Sequence, residues 1–254
     1  MSRHLPHRPT VLIESSAYAS RWRDVAPSAK ALFALAGIIA SWIAQGPAAL
    51  AALTAILMLT AFLAARVPLH AYIAAALPPL GFLLLSYLTM LVGPDHNGHW
   101  HITTAMLPTI EHTALRSTAM LAALLGLVLT TPMPDLLALL RKLRTPELLL
   151  DLMVLCYRML FVMRQAWDES ITAQTARLGY RNWRQAWRST GLLAGQMAVQ
   201  VWQRAAALQT AADARVYQGT LRFLPTAYPQ AKRQITAAAV AGAVMLAIAL
   251  GDRL

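Results

Sequence analysis

Charge is what this sequence has least of. Only 13% of its 254 residues are Asp, Glu, Lys or Arg, against 57% hydrophobic residues. Soluble domains carry about a quarter of their residues as charges to cover their surface, so an ordinary water-soluble domain is excluded. Cysteine is nearly absent as well: Cys156 stands alone in an apolar stretch, which excludes a disulfide framework or a zinc-type cluster within the chain. Acidic residues are scarce too, 11 Asp+Glu against 22 Lys+Arg, for a net charge of +11. In a soluble chain that excess would suggest nucleic acid. Here the basic residues lie between and beside apolar runs, so they report membrane topology instead. A cleavable leader is not expected, because the basic stretch Met1–Thr10 runs into acidic and aromatic residues rather than a compact apolar segment.

What is abundant is long apolar sequence. A span needs roughly 17–25 such residues, and five stretches qualify or nearly do: Ala31–Ala44, Ala48–Ala65, Ala71–Val92, Thr113–Thr131 and Ile235–Leu250. Pro78-Pro79 should kink or break the third. Arg116 stands close enough to one end of the fourth to snorkel, and Gly242 allows a close helix contact in the fifth. Arg3, Arg8, Arg21, Arg23 and Lys30 precede the first span and Arg66 separates the second from the third, whereas residues 45–47 and 93–112 contain no Lys or Arg. The positive-inside rule then puts the N-terminus in the cytoplasm and those two loops outside. Pro132–Gln234, which holds most of the basic residues, falls inside. The expected organisation is residues 1–131 as an N-terminal segment with four spans, 132–234 as a cytoplasmic region, and 235–254 as a C-terminal span. A bacterial inner membrane is the expected setting.

The cytoplasmic region carries its own periodicity. Between Pro146 and Arg177 the polar residues Glu147, Asp151, Arg158, Gln165, Glu169 and Thr172 recur at steps of three, four and seven, leaving one polar stripe on a mostly apolar helix. Ser189–Arg215 repeats the idea, with Gln196, Gln200, Gln203 and Asp213 on or near one face. Two long amphipathic helices that do not span should pack on each other and beneath the membrane region. The fold class is therefore all-α, a polytopic membrane protein of about five spans with long cytoplasmic helices. Asp151 and Arg158 lie two turns apart on one face and form a possible helix-crossing pair, through a partner or water.

Both helices finish alike. The first ends Ala176-Arg177-Leu178-Gly179, and the second ends Ala214-Arg215-Val216-Tyr217-Gln218-Gly219. Glycine soon after each arginine is a possible stop. An arginine at a helix C-terminus complements the dipole and can reach past the end to grip a carboxylate with two bonds.

At these residues the chain resembles the transmembrane T component of energy-coupling factor transporters, of the cobalt type. Arg23-Asp24-Val25-Ala26-Pro27-Ser28-Ala29-Lys30 resembles that family's approach to its first span, and Thr131-Pro132-Met133-Pro134-Asp135-Leu136-Leu137 the segment after its early spans. Leu143-Arg144-Thr145-Pro146-Glu147-Leu148 with Met153-Val154-Leu155-Cys156-Tyr157-Arg158 is similar to its most recognisable stretch. The two Ala-Arg endings match its paired coupling motifs, usually Ala-Arg-Gly, although Leu178 and Val216 occupy the third positions here. The resemblance implies a scaffold that holds two cytosolic ATP-binding cassette subunits, one at each arginine-tipped end, and a separate substrate-binding membrane S component. ATP and Mg would be bound by the partner ATPase, with no cofactor in this chain. It implies cobalt as cargo, with nickel, biotin or other vitamins as alternatives.

Other chemistry has little to stand on. No Gly-x-x-x-x-Gly-Lys-Ser/Thr loop occurs, and the histidines are confined to the N-terminal half, so neither ATP hydrolysis nor a nucleophilic triad is expected. A membrane-embedded enzyme or a self-contained metal carrier would need clustered acids, histidines or ligands that the inner face and the spans barely offer. His96, His99 and His101 in the outer loop could capture a metal ion at the surface, but hydrated histidines in a loop of turn-forming residues are the favoured explanation, and no metal site is assigned. Trp167, Trp183, Trp187 and Trp202 interleave with Arg164, Arg181, Arg184 and Arg188, as expected of anchoring to membrane lipid at the cytoplasmic leaflet rather than of a nucleic-acid surface.

Overall fold

The structure, a computed structural model, describes residues 17–18, 20–94, 100–102, 106–216 and 228–253, with the side chains of 92–94 and 100–102 outside that description. Eight α-helices dominate the described residues: α1 Pro27–Ile43, α2 Pro47–Leu59, α3 Leu69–Leu91, α4 Leu107–Thr130, α5 Met133–Lys142, α6 Glu147–Ala176, α7 Trp183–Ala214 and α8 Ala231–Gly251. A π turn, Thr60–Ala64, extends α2. Between α3 and α4 a short antiparallel ribbon pairs β1 Val92–Pro94 with β2 Trp100–Ile102.

Four helical stretches are long and apolar enough to cross a membrane, Pro47–Ala64, Leu69–Leu91, Leu107–Thr130 and Ala231–Gly251, and Pro27–Ile43 is a shorter apolar helix. The chain is thus an all-α, polytopic membrane protein. Helix starts fall earlier than hydropathy suggests, because proline rather than the first apolar residue opens them: Pro27, Pro47 and Pro108 occupy the first or second helical position of α1, α2 and α4, where a missing N–H costs nothing. The expected outer loop therefore loses its last residues to α4. Pro78 and Pro79 do not break α3, which runs unbroken through them. Prolines are tolerated within spans, where local adjustments re-satisfy the freed carbonyls.

The chain divides into two compact units, Met1–Leu139 with Thr226–Leu254, and Leu140–Pro225. In the first unit α1 packs on α8 and α4, α2 on α4, and α3 on α4. One core joins Ala40 of α1 and Ala44 just after it, Leu50, Leu53 and Leu57 of α2, Ala122 and Ala123 of α4, and Met245 and Ala249 of α8. A second gathers Ala61, Ala65, Val67, Tyr72, Ala76, Leu125 and Leu129. Helices α1 and α8 run parallel. At one end the Ala26 N–H donates to Gln234 Oε1 at 2.7 Å, and at the other the Gln45 N–H donates to Asp252 at 3.0 Å, with Gly46 N–H on the same oxygen. Small residues allow the approach, since a Cβ on Gly242 would lie 2.8 Å from that of Ala36.

Polar side chains tie the two ends of this bundle. Lys30, buried in α1, donates from Nζ to the Thr130 carbonyl at 2.8 Å and so satisfies the last turn of α4. Ser20 Oγ donates to the Ala65 carbonyl at 3.1 Å. Arg116 does not simply snorkel: its guanidinium donates to the Ala44 carbonyl at 3.1 Å, closing the last turn of α1. Tyr228 donates to the Asp135 carboxylate, and burial first and this bond second push its phenol well above the ordinary tyrosine range. The chain thus leaves this unit near Asp135 and returns at Tyr228 at the same end, the end that also carries Arg23 and Asp24.

Candidate functional site

The second unit consists mainly of α6 and α7, which pack on each other, and neither is among the helices apolar enough to span. Helix α6 opens behind Thr145-Pro146, where proline sets the entering backbone and Thr145 Oγ1 donates to the Leu140 carbonyl at 2.8 Å. Helix α7 starts at Trp183 behind Asn182, earlier than the Ser189 expected from the pattern. Ser189 is instead an interior, buried residue. Along α7 the covered positions are Ala186, Ser189, Leu193, Met197, Gln200, Leu208 and Ala212, which step by helical turns. Gln200 therefore sits on the covered stripe, while Leu192, Val199, Val201 and Trp202 are exposed.

The two arginine ends share one cap geometry. Arg177 is the first residue past α6 and Arg215 the first past α7. In each the next residue turns left-handed, Leu178 at φ 59° and Val216 at φ 51°. At the first end the Leu178 N–H donates to the Thr175 carbonyl at 3.0 Å and the Gly179 N–H to the Gln174 carbonyl at 2.9 Å, the paired bonds of a Schellman cap. At the second, the Val216 N–H donates to the Asp213 carbonyl at 3.1 Å, its counterpart. The stop is therefore not the glycine. Leu178 and Val216 take the left-handed position, which costs an L-residue about 1–2 kcal/mol. Gly179 is needed for another reason, because a Cβ there would meet Ser189 Oγ at 2.6 Å. That hydroxyl donates to the Gly179 carbonyl at 2.9 Å and holds the first end against α7. Gly219, the other expected stop, lies outside the described residues.

Ala176, Arg177, Leu178, Ala214, Arg215 and Val216 are all exposed. Among the described residues neither Arg177 nor Arg215 is engaged in an ion pair, so both guanidinium groups are open to a carboxylate. The structure does not bring Asp151 and Arg158 together directly: Asp151 is buried and has an interaction of its own, while Arg158 is exposed. His96 and His99 lie outside the described residues, and His101 lies in β2 with its side chain outside the description. Trp183 and Trp187 meet edge to face at 5.5 Å and stay exposed beside Arg181, Arg184 and Arg188.

Ser189 is the residue that pattern reading missed as a bracing group. Asn182, a common N-cap type, was the available signal that α7 begins earlier and places Ser189 inside it.

A family model described as cobalt transport protein, CbiQ, matches residues 19–225. This chain belongs to that family. The match takes in both arginine ends as well as α1–α7. The cobalt transport protein CbiQ of Rhodobacter capsulatus is 35% identical over 217 residues, covering 84% of this chain and 87% of that protein. Its namesake in Salmonella typhimurium is 32% identical over 222 residues, covering 82% and 97%. A putative fused cobalt transport protein, CbiMQ, of Methanocorpusculum labreanum is 28% identical over 250 residues, covering 94% of this chain and 41% of that protein.

Proposed function

We propose that this chain is the transmembrane scaffold of an ATP-driven cobalt uptake transporter, the T component of an energy-coupling factor system. The observation that carries the reading is the matched pair of helix ends, each with an exposed arginine in the same cap position and without an ion pair among the described residues. Each arginine would be received by a cytosolic ATP-binding cassette subunit through a two-bond contact to a carboxylate. Closure of the ATPases on ATP and Mg would then displace the two ends relative to each other. That displacement would pass through α6 and α7 to a substrate-binding membrane subunit, a rigid-body change biased by nucleotide. The exposed apolar faces of both helices, Leu148, Leu152, Leu155 and Leu160 on α6 and Leu192, Val199 and Trp202 on α7, supply the contact surface for that subunit. The fused relative supports a second transport component as a close partner.

In this reading the membrane is a bacterial inner membrane and the N-terminus is cytoplasmic. The end of the bundle that carries Arg23, Asp24, Asp135 and Tyr228 then faces the cytoplasm, and the stretch between Asp135 and Tyr228 works there. Cobalt as cargo rests on the family, and competition by nickel in an uptake assay separates the two metals. Hydrolysis belongs to the partner, and this chain acts without a cofactor of its own.

The deciding experiment is the double variant Arg177→Glu with Arg215→Glu, expressed with its ATPases and substrate-binding subunit. Membrane insertion is expected to persist, while the ATPases no longer co-purify and cobalt uptake falls to background. Normal co-purification and uptake would sink the scaffold mechanism.

A further inference from the structure

The residue after each arginine is conformationally expensive and unprotected, and nothing in the proposed arginine–carboxylate contact explains it. Leu178 and Val216 both hold φ values that favour glycine, and a β-branched residue such as Val216 is an outlier there. Packing by the described residues does not offset this. Leu178 is 64% exposed and Val216 75% exposed.

Two other non-glycine residues in the described chain share the conformation, Arg66 at φ 52° and Arg144 at φ 61°. Arg144 closes α5 with the same pair of bonds, its N–H to the Arg141 carbonyl at 3.1 Å and the Thr145 N–H to the Leu140 carbonyl at 3.4 Å. Those two present charged, hydrated side chains, for which exposure has no penalty. Among the described residues, only the arginine-tipped ends carry an exposed aliphatic side chain at the left-handed position, and both do so. An exposed aliphatic group held in a strained backbone at matched places points to an external surface that covers it.

We infer that Leu178 and Val216 are specificity-determining contact residues, each seating in an apolar lip beside the carboxylates that receive the neighbouring arginine on the ATPase subunit. This rests on the scaffold reading above. The occupant follows from the pairing of chemistries. A guanidinium and an aliphatic group on consecutive exposed residues fit a protein groove that is acidic on one wall and apolar on the next. The left-handed turn aims the two side chains in different directions from one short segment. Because Leu178 and Val216 differ in shape, the lip must accept both a γ-branched and a β-branched group, or the two sockets differ correspondingly.

The test uses the full chain in lipid nanodiscs with purified ATPase subunits, and compares Leu178→Gly/Val216→Gly with Arg177→Glu/Arg215→Glu. Glycine removes the backbone strain, so the glycine variant is expected to unfold no earlier than the parent. Its ATPase Kd is nevertheless expected to rise at least tenfold, with Leu178→Met/Val216→Ile restoring affinity. A rise of less than tenfold overturns the inference. So does a rise accompanied by earlier unfolding, which would make the role structural. An unchanged ATPase Kd with weakened attachment to anionic vesicles would assign the two residues to lipid, and also overturns it. If the glutamate variant keeps its ATPases, the scaffold reading itself fails. If the glutamate variant loses them while the glycine variant does not, only the present inference fails.

Discussion

The two units of this protein use their apolar residues in opposite ways. In the first, alanine and glycine let helices approach until side chains from four helices share one core. In the second, α6 and α7 cover few positions, and among the described residues only Leu150, Asp151, Ala166, Ser189 and Leu193 are buried. A bundle in lipid gains little from hydrophobicity alone and needs close packing and internal hydrogen bonds. In the scaffold reading proposed above, the open apolar faces of the second unit are left for partner subunits to cover. Stability should therefore be concentrated in the first unit and partner contact in the second.

Three changes would break or sharpen that contrast. The largest effect is expected from Gly242→Leu, because even a Cβ at Gly242 would lie 2.8 Å from that of Ala36 across the α1–α8 contact. Overpacking of this kind costs about 1–3 kcal/mol, occasionally more. Thermal unfolding in detergent should show a clear fall, and an unchanged midpoint would mean that the two helices do not pack so closely. Next comes Ser189→Ala, which removes the bond to the Gly179 carbonyl and should cost about 1 kcal/mol. Amide exchange should quicken at Arg177–Gly179 and leave α1 and α8 unaffected. Protection spread evenly over both units would argue against their independence. The smallest effect is expected from Asp168→Ala. Its ion pair with Arg164, at 3.2 Å, is exposed on both sides, and such i,i+4 pairs contribute about 0.3–0.5 kcal/mol. A larger loss in unfolding free energy would show that α6 depends on its surface charges more than its packing suggests.

The spans and the two amphipathic helices were legible because both rest on local pattern. Apolar length needs no knowledge of the fold, and a stripe that steps by helical turns is visible in any window. The arginine ends were legible for the same reason, since Ala176-Arg177 and Ala214-Arg215 repeat one short phrase. Helix starts were less so. Pro27, Pro108 and Asn182 carry the signal, but hydropathy outweighs it when polar residues follow, as Ser28, Lys30 and Arg184 do.

What the sequence determined by itself is therefore the membrane class, the approximate spans, the two long helices and the identity of the arginines at their ends. Only the tertiary structure decided which polar residue closes which helix. Lys30 reaches Thr130, Arg116 reaches Ala44, and Asp252 reaches Gln45 and Gly46 across separations that no local window contains. It also decided that Leu178, rather than Gly179, turns left-handed at the first end, and that Val216 does so at the second. The reason is physical. Propensity favours glycine at such a turn, but the cap is placed where the helix's last carbonyls find their donors, and that position falls one residue after each arginine.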